Sequence, residues 1–286
     1  MSQQITTAMV EQYKANIDLL SQQKGSRLRN AVRNETVVGE NAFFDQIAAT
    51  TAQLKTTRHM DTPQTDTPHL RRRVSLADYV WADFVDKEDL VRTLIDPTSP
   101  YAVNAVNAFG RSIDDVIIAA ALGTAYTGKT GAVGVGITQS ISEGNTGLTV
   151  AKLIEAKGIF WAADVDEDED LFICCRGKQL EDLLATTQVT SSDYNTVKAL
   201  VKGEVNEYMG FTFIRSQRIT KAAEIASCFA WARSGIALGL GADIHTRISE
   251  RADKNYLTQV WCGMTIGATR MEETKVIQID VDEVPT

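Results

Sequence analysis

The sequence predicts an α+β fold, and three features of the chain support this prediction. Residues 43–86 have the Thr, Val, Phe, Tyr and Trp content that is typical of strands. A long stretch with helical periodicity follows Pro100. The remainder alternates short helical patterns with short apolar runs that read as buried strands. No internal repeat is evident, so a single mixed architecture is the simplest interpretation.

Composition excludes several classes of protein. A hydrophobic fraction of 44% and a charged fraction of 23% over 286 residues are those of a globular chain, neither disordered nor membrane-embedded. The net charge of -8 argues against a broad basic face that clamps nucleic acid. The four cysteines show no metal-ligand spacing, so we expect reduced thiols in the core.

The N-terminal region is predicted to be an amphipathic arm. Apolar residues recur at helical spacing over Thr7–Leu28, and a basic stretch, Lys24–Arg33, overlaps the end of this pattern. Such a helix lies on a neighbouring surface, which belongs either to its own chain or to another copy. Residues 1–24 contain no apolar core of a signal peptide, and no run of about 18 apolar residues occurs, so neither export nor a membrane span is expected.

Two strands are predicted to form a long flap. They cover Phe44–Arg58 and Arg71–Val85, and the turn-rich segment His59–His69 joins them. An isolated two-stranded hairpin is only marginally stable in water. The flap therefore needs another surface on which to lie.

A long helix is predicted to begin with Ser99 as N-cap and Pro100 at the first helical position. It is expected to end near Ala125, which gives a rod about 40 Å long. Arg111, Asp114 and Asp115 are expected to lie beside its apolar stripe. That stripe consists of Val103, Val106, Phe109, Ile113, Val116, Ile117 and Ala120.

The second half of the chain alternates between helices and strands. Gly128–Gly147 reads as a mobile loop or hairpin, and Thr149 as the cap of a second helix. Further helices are predicted over Lys178–Ala185 and Tyr194–Val201. Extended segments are predicted over Leu171–Cys175, Phe211–Ile214, Ile225–Ala232, Arg247–Ala268 and Lys275–Val281.

One motif resembles a nucleotide-binding loop. Gly123–Thr130 fits the pattern G-x-x-x-x-G-K-[ST], but the phosphate site needs a strand before the loop and a helix after it. Here a helix comes first and a glycine-rich stretch follows, so we expect a helix end and a surface loop, with an NTP-hydrolysing enzyme as the alternative. The three histidines lie on separate segments without a nucleophile context. We therefore predict no catalytic residue and no cofactor.

The most concentrated opposite charges are an acidic turn and an arginine triplet. The acidic turn, residues 164–170, contains Asp164, Asp166, Asp168 and Asp170 but lacks the glycine and glutamate that a calcium loop requires, so no metal site is predicted. It reads as a solvated turn or an acidic contact patch. Arg71, Arg72 and Arg73 open the second flap strand. They either discourage edge aggregation or anchor the flap on an acidic patch of a neighbouring subunit, such as the acidic turn.

The order of elements resembles the major capsid proteins of tailed bacteriophages, which have the Hong Kong 97-type fold shared with encapsulins. The similarity is strengthened by a stretch that looks like the helix, glycine turn and strand of phage coat proteins, and by a terminal segment that looks like their closing strands. The first comprises Ser191–Asn195, Leu200–Gly203 and Tyr208–Ser216, and the second is Arg247–Arg270. The resemblance covers nearly the whole chain without an invariant catalytic signature.

This resemblance implies a domain organisation. Residues 1–38 would be the N-terminal arm and residues 39–86 the extended two-stranded loop. The peripheral domain would comprise 87–148 and 242–272, with a spine helix at about 99–125. The axial domain would comprise 149–241 and 273–286.

The resemblance also implies a structural role and no enzymatic activity. The chain would form the pentamers and hexamers of an icosahedral phage head that encloses double-stranded DNA. Its partners would be further copies of itself, portal, scaffolding or decoration proteins, and packaged DNA held by non-specific contact, with no membrane. It would be made in the bacterial host cytoplasm and end in the virion. An encapsulin-like compartment shell is the alternative in the same fold class.

Overall fold

The computed structural model describes residues 21–62, 64–85, 98–166, 168–185, 207–254 and 256–284. Three helices lie in this part of the chain: α1 at Thr98–Leu122, α2 at Val150–Ala162 and α3 at Gly177–Ala185. The strands are β1 Arg33–Thr36, β2 Asn41–Ile47, β3 His69–Ser75, β4 Ala77–Val85, β5 Ala125–Thr127, β6 Val133–Val135, β7 Ser140–Ile141, β8 Leu171–Cys175, β9 Glu207–Tyr208, β10 Phe211–Arg215, β11 Lys221–Ala222, β12 Ile225–Ala232, β13 Ile236–Arg251, β14 Leu257–Arg270 and β15 Val276–Asp282.

These strands form three sheets. The first has the order β1-β13-β14-β4, and the long antiparallel hairpin of β13 and β14 lies at its centre. The second has seven strands, with the path β7-β15-β12-β8-β10-β9 and β11 paired to β12. The third, which we call the flap sheet, has the order β2-β3-β5-β6. The mixture of helices with largely antiparallel sheets confirms the α+β prediction.

Helix α1 packs its predicted apolar stripe only in part. Phe109, Ile113 and Ile117 are buried, whereas Val103 and Val106 near the helix start remain 48% and 39% exposed. The helix begins at Thr98, so the predicted N-cap Ser99 is wrong: Ser99 and Pro100 both lie inside the first turn. Pro100 is tolerated there because the first backbone N–H groups of a helix have no intrahelical acceptor.

The predicted two-stranded flap is wrong in extent. The first strand ends at Ile47, and the described residues of 48–68, which we call the flap tip, form neither helix nor strand. The predicted second strand is divided at Leu76 into β3, which stays with the flap, and β4, which pairs with β14. The Leu76 amide donates to the Glu40 carbonyl at 3.0 Å, which closes the base of the β2-β3 hairpin at this bend.

Most elements predicted for the second half are confirmed. Strands β8, β10, β12 and β15 and helix α3 lie within a residue or so of their predicted bounds. Thr149 caps α2, and its side chain accepts from the Lys152 amide. The helix predicted over Tyr194–Val201 lies outside the described residues. The four cysteines are free and buried, as the sequence predicted.

The N-terminal region does not continue as a helix through Leu28. Residues 21–32, which we call the strap, run over α1 without forming an α-helix, and the preceding part of the predicted helix lies outside the described residues. The strap approaches α1 closely, since a Cβ atom on Gly110 would lie 2.3 Å from the carbonyl carbon of Gly25. Leu28 is fully buried, and the Trp231 indole donates to the Ala31 carbonyl at 2.9 Å. The strap is therefore bound to its own chain.

Candidate assembly surfaces

The strap is held by one buried carboxylate on α1. Asp114 is 0% exposed and accepts from the Ser26 hydroxyl at 2.6 Å and from the backbone amides of Arg27 and Leu28 at 3.1 Å each. The side-chain amide of Gln23 also donates to the Asp114 carboxylate. These bonds satisfy a charge that would otherwise be costly to bury. Asp114 thus lies beside the apolar stripe, as expected, but it is buried beneath the strap.

A sequence signal for this clamp exists. Asn107, Gly110 and Asp114 are spaced three and four apart, so they share one helix face on which a glycine allows close approach. Asn107 is also buried, and its side-chain oxygen accepts from the Gly25 amide at 3.3 Å. This small polar face, lying next to the apolar stripe, is where the strap binds.

A second buried charge network joins the flap sheet to the body. Arg270 is fully buried and donates to the carbonyls of Ala121, Gly123 and Val135 at 2.8–3.0 Å, as well as to Glu273. Glu273 in turn forms an ion pair with Arg72 at 2.7 Å. The network therefore connects the end of α1, strand β6 and strand β3 through two arginines and one carboxylate.

Successive side chains of β3 point to opposite faces of the flap sheet, and this divides the arginine triplet. Arg72 points into the body, where it is 9% exposed and also donates to the Met271 carbonyl at 2.9 Å. Arg71 and Arg73 lie on the opposite face, where their guanidinium groups stand over the rings of Phe43 and Tyr126 at 5.3 and 4.8 Å. Arg72 is thus occupied within its own chain, and only Arg71 and Arg73 remain candidates for contact with a neighbour.

Arg71 has a partner on the adjacent strand. Its Nε donates to Asp45 at 2.6 Å, and this hydrogen bond lowers the pKa of the Asp45 carboxyl below its usual value. The two side chains, together with His69 and Lys129, border an open pocket of about 480 Å³. Three of these four side chains are basic groups, so the pocket is suited to an acidic side chain.

The acidic turn is partly engaged at its C-terminal end. Glu169 accepts from the Ser234 amide at 2.6 Å and pairs with Lys275 at 3.4 Å, while Asp170 pairs with Arg233 at 3.3 Å. Asp164, Asp166 and Asp168 are exposed. In the described part of the chain, no group of three or more His, Cys, Asp or Glu side chains is placed to hold a metal ion.

The motif Gly123–Thr130 does not form a phosphate loop. Helix α1 ends at Leu122, β5 follows at once, and a tight turn leads into β6. In this turn Gly128 and Gly131 both have positive φ angles, and the Gly131 amide donates to the Gly128 carbonyl at 3.0 Å. Because no helix follows the lysine, no helix N-terminus faces the site where phosphates would bind.

Exposed apolar side chains occur at two separate places. On the flap, Ile47, Leu54 and Leu70 are 68%, 83% and 53% exposed. On α2, Ile154 and Trp161 are 54% and 58% exposed and are seven residues apart, so they lie on one face of the helix. Their sequence neighbours Leu153 and Phe160, about 100° further round the helix, are buried. The apolar surface of α2 therefore extends beyond its buried stripe.

No helix in the described part of the chain is long and apolar enough to cross a membrane.

Comparison with known proteins gives a consistent result. No curated protein matches the sequence. Solved structures are similar in fold at low identity: the capsid of Ralstonia phage GP4 (TM-score 0.77, 11% identity, 96% of this chain and 95% of that chain covered) and the cyanophage Pam1 capsid (TM-score 0.74, 15% identity, 98% of both chains covered). A third is the capsid of the Helicobacter pylori bacteriophage KHP30 (TM-score 0.73, 11% identity, 99% and 98% covered).

These structures share the Hong Kong 97-like capsid fold, which confirms the fold predicted from the sequence. The model of the family described as phage capsid protein matches residues 5–283, which is nearly the whole chain. The chain belongs to the phage capsid protein family.

Proposed function

We propose that the chain is the major capsid subunit of a tailed phage, and that its copies close as pentamers and hexamers into an icosahedral head around double-stranded DNA. The flap carries this proposal. Its described tip residues are almost all exposed, and Ile47, Leu54 and Leu70 are among its apolar side chains. Ile47 and Leu70 lie on opposite faces of the β2-β3 ladder, so both faces of the flap expose apolar side chains. Repeated contacts between identical copies would cover them.

The two lobes of the proposed subunit follow the sheets. The first sheet and α1 would form the peripheral domain, and the seven-stranded sheet with α2 and α3 the axial domain. We propose one adjustment to the bounds expected from the sequence. Strand β7 pairs with β15, so Ser140–Ile141 goes with the axial domain, and the start of β13 at Ile236 goes with the peripheral domain.

Charge complementarity supports a specific contact between copies. The pocket beside Arg71 and Lys129 would receive Asp166 or Asp168 from the acidic turn of a neighbouring subunit. No ion pair joins these two groups within the residues that the structure describes, which leaves the exposed carboxylates available. Arg72 takes no part, because it is bound to Glu273.

Charge reversal tests this contact. Lys129→Glu and Asp168→Lys are each expected to reduce particle yield, because each places like charges face to face. The two changes combined in one chain are expected to restore the yield. Each variant is first checked for an unchanged melting temperature, since both side chains are exposed. If the single variants assemble like the wild type, or if the combination does not recover, the pairing is wrong.

The subunit role itself is tested by expressing the full chain alone. Sedimentation velocity at rising concentration and negative-stain electron microscopy are expected to show rings of five or six, tubes or closed shells. A matched pair of variants adds specificity: Leu70→Asp on the flap is expected to suppress assembly, whereas Val284→Asp, at a site of similar exposure, is expected to leave it unchanged. A monomer at every concentration, even with crowding agents, would contradict the proposal.

Further partners follow from the same role. A head made of this subunit would be assembled in the host cytoplasm with portal, scaffolding or decoration proteins and would end in the virion. The subunit would act as a structural protein without catalysis. The wild type is expected not to bind ATP, since no helix follows Lys129 to bind phosphates.

A further inference from the structure

Several basic side chains on one surface have no carboxylate partner among the described residues. Lys24 and Arg27 on the strap are exposed, as is Arg215 at the end of β10. The Arg27 guanidinium donates to the carbonyl of Arg215 at 2.5 Å. Arg111 on α1 donates to the Gln22 side chain and the Gln23 carbonyl, which are both neutral.

Hydrogen bonds place the residues that carry these cations next to one another. Arg111 contacts the strap at Gln22 and Gln23, directly before Lys24. The strap then passes over Asp114 to Arg27, which reaches Arg215 on the second sheet. We call Lys24, Arg27, Arg111 and Arg215 the basic track, because they follow one another along the strap from α1 to β10.

Two carboxylates of α1 beside the basic track form no ion pair with its cations in the described part of the chain. Asp114 is fully buried beneath the strap and is already bound to the Ser26 hydroxyl and backbone amides. Asp115 is paired with Arg218, which brings a cation of its own to the same edge. Lys24, Arg27 and Arg215 are exposed to solvent.

The composition of this surface favours a nucleic-acid backbone over a protein partner. The exposed or half-buried strap residues beside the cations are polar, namely Gln22, Gln23, Ser26 and Asn30, while the apolar Leu28 is fully buried. Protein interfaces have an apolar core, whereas interfaces with nucleic acid are polar and positively charged. Lysine and arginine side chains along a line neutralise successive phosphates without reading sequence.

We propose that the basic track binds the phosphate backbone of double-stranded DNA, and that the face of α1 and the strap therefore lines the interior of the shell. This inference rests on the proposed capsid function and adds to it the surface that meets the packaged DNA. Binding is non-specific and steeply dependent on salt, because it operates by release of counterions.

The test uses the unassembled full chain, in which both faces are accessible, and a fluorescent 30-base-pair DNA duplex. Fluorescence anisotropy is measured from low to moderate salt. The track variant carries Lys24→Gln, Arg27→Gln and Arg215→Gln. The control variant, Lys178→Gln, Arg247→Gln and Lys254→Gln, removes the same number of positive charges from exposed positions elsewhere. Arg111 is left intact because it contacts the strap.

The track variant is expected to bind DNA at least about tenfold more weakly, with the slope of log K against log salt reduced by about 2–3. The control is expected to keep the slope of the wild type. Equal losses in both variants would show that binding follows net charge alone and would overturn the proposal. So would a wild type that binds polyglutamate but not DNA, which would indicate an acidic protein partner.

Particle formation is scored separately by electron microscopy, so the two proposals can fail independently. If the wild type forms shells but the track variant binds DNA like the wild type, only the basic track is wrong. If no particles form but the track variant loses DNA binding, the capsid role is wrong and the DNA-binding surface stands.

Discussion

Asp114 shows how a buried charge can define the path of a chain segment. A carboxylate removed from water is costly unless charge-assisted hydrogen bonds replace its hydration. Here the donors come mainly from the backbone and side chains of Gln23–Leu28, so the strap is stabilised only in one register on α1. The same residue therefore both fixes the strap and depends on it.

Asp114→Asn is expected to loosen the strap. The amide keeps one acceptor oxygen but turns an NH₂ group toward donors, so at least one buried donor is left unsatisfied, at a cost of about 2–3 kcal/mol. Chemical denaturation should show this loss, and trypsin should cleave faster after Lys24 and Arg27. The matched control is Asp115→Asn, which removes an exposed pair with Arg218 and should cost under about 1 kcal/mol. Equal effects of the two changes would rule out the clamp.

The cysteines provide a test of packing. Burial raises the pKa of Cys175 to about 12 and that of Cys174 and Cys228 well above the usual value for a thiol. Since the thiolate is the reactive form, the native chain at pH 8 should not react with a thiol reagent, including at buried Cys262. In denaturant all four thiols should react. A fast-reacting thiol in the native protein would show that part of the core opens readily.

Between elements, the end of α1 and the flap sheet are joined by Arg270. Its guanidinium satisfies carbonyls at the helix C-terminus and on β6, and its ion pair with Glu273 brings in Arg72 of β3. A cation is also favourable at this end of the helix dipole. The orientation of the flap sheet is therefore set by charges inside the chain and not only by contacts with other copies.

Arg270→Gln is expected to be among the most destabilising single changes in the chain. The shorter amide cannot reach three carbonyls, and it leaves Glu273 with Arg72 alone, so a loss of about 3–5 kcal/mol is expected in chemical denaturation. Arg233→Gln is the comparison, because Arg233 forms an exposed pair with Asp170. A loss at Arg270 no larger than that at Arg233 would contradict the proposed role of the network.

The sequence was informative about elements and much less so about their junctions. The length of α1, the cap at Thr149 and the buried strands could be predicted, because they depend on local periodicity and capping. The division of the second flap strand at Leu76 could not, because the strand pattern continues through the bend and only tertiary pairing separates β3 from β4. The roles of Asp114 and Arg270 were missed for a similar reason: the donors to Asp114 lie 86–91 residues away along the chain, and the carbonyls that accept from Arg270 lie 135–149 residues away.

The candidate contact residues were predicted only in part. Charge density identified the arginine triplet and the acidic turn, but strand alternation decides which arginines face outward, and that depends on the sheet in which β3 lies. The basic track was not predicted either. Its cations come from three separate segments, and only the folded strap brings Arg27 to Arg215.

At the scale of the whole molecule, the subunit buries one core and leaves apolar side chains exposed at two separate places in the fold. The core extends from the strap and α1 through the first sheet and the seven-stranded second sheet. The flap tip and the outer face of α2 are left outside it, as Leu54 and Trp161 show. Two unrelated apolar surfaces on one chain are what a subunit with different neighbours on different sides requires, because each interface then joins unlike patches.

The outer face of α2 is expected to be one of these interfaces. Ile154→Ser combined with Trp161→Ser should leave the melting temperature nearly unchanged, since both side chains are more than half exposed in the single chain. The same variant should raise the concentration needed for assembly at least about tenfold, because a buried tryptophan commonly contributes about 2 kcal/mol or more to an interface.

Glu155→Gln, on the same helix and exposed, is the control. Light scattering against protein concentration measures the effect. Every subunit in a closed shell would repeat each contact, so even a modest loss of free energy per interface should clearly raise the protein concentration at which assembly begins. A double variant that assembles at the wild-type concentration would place α2 outside the contacts that build the shell.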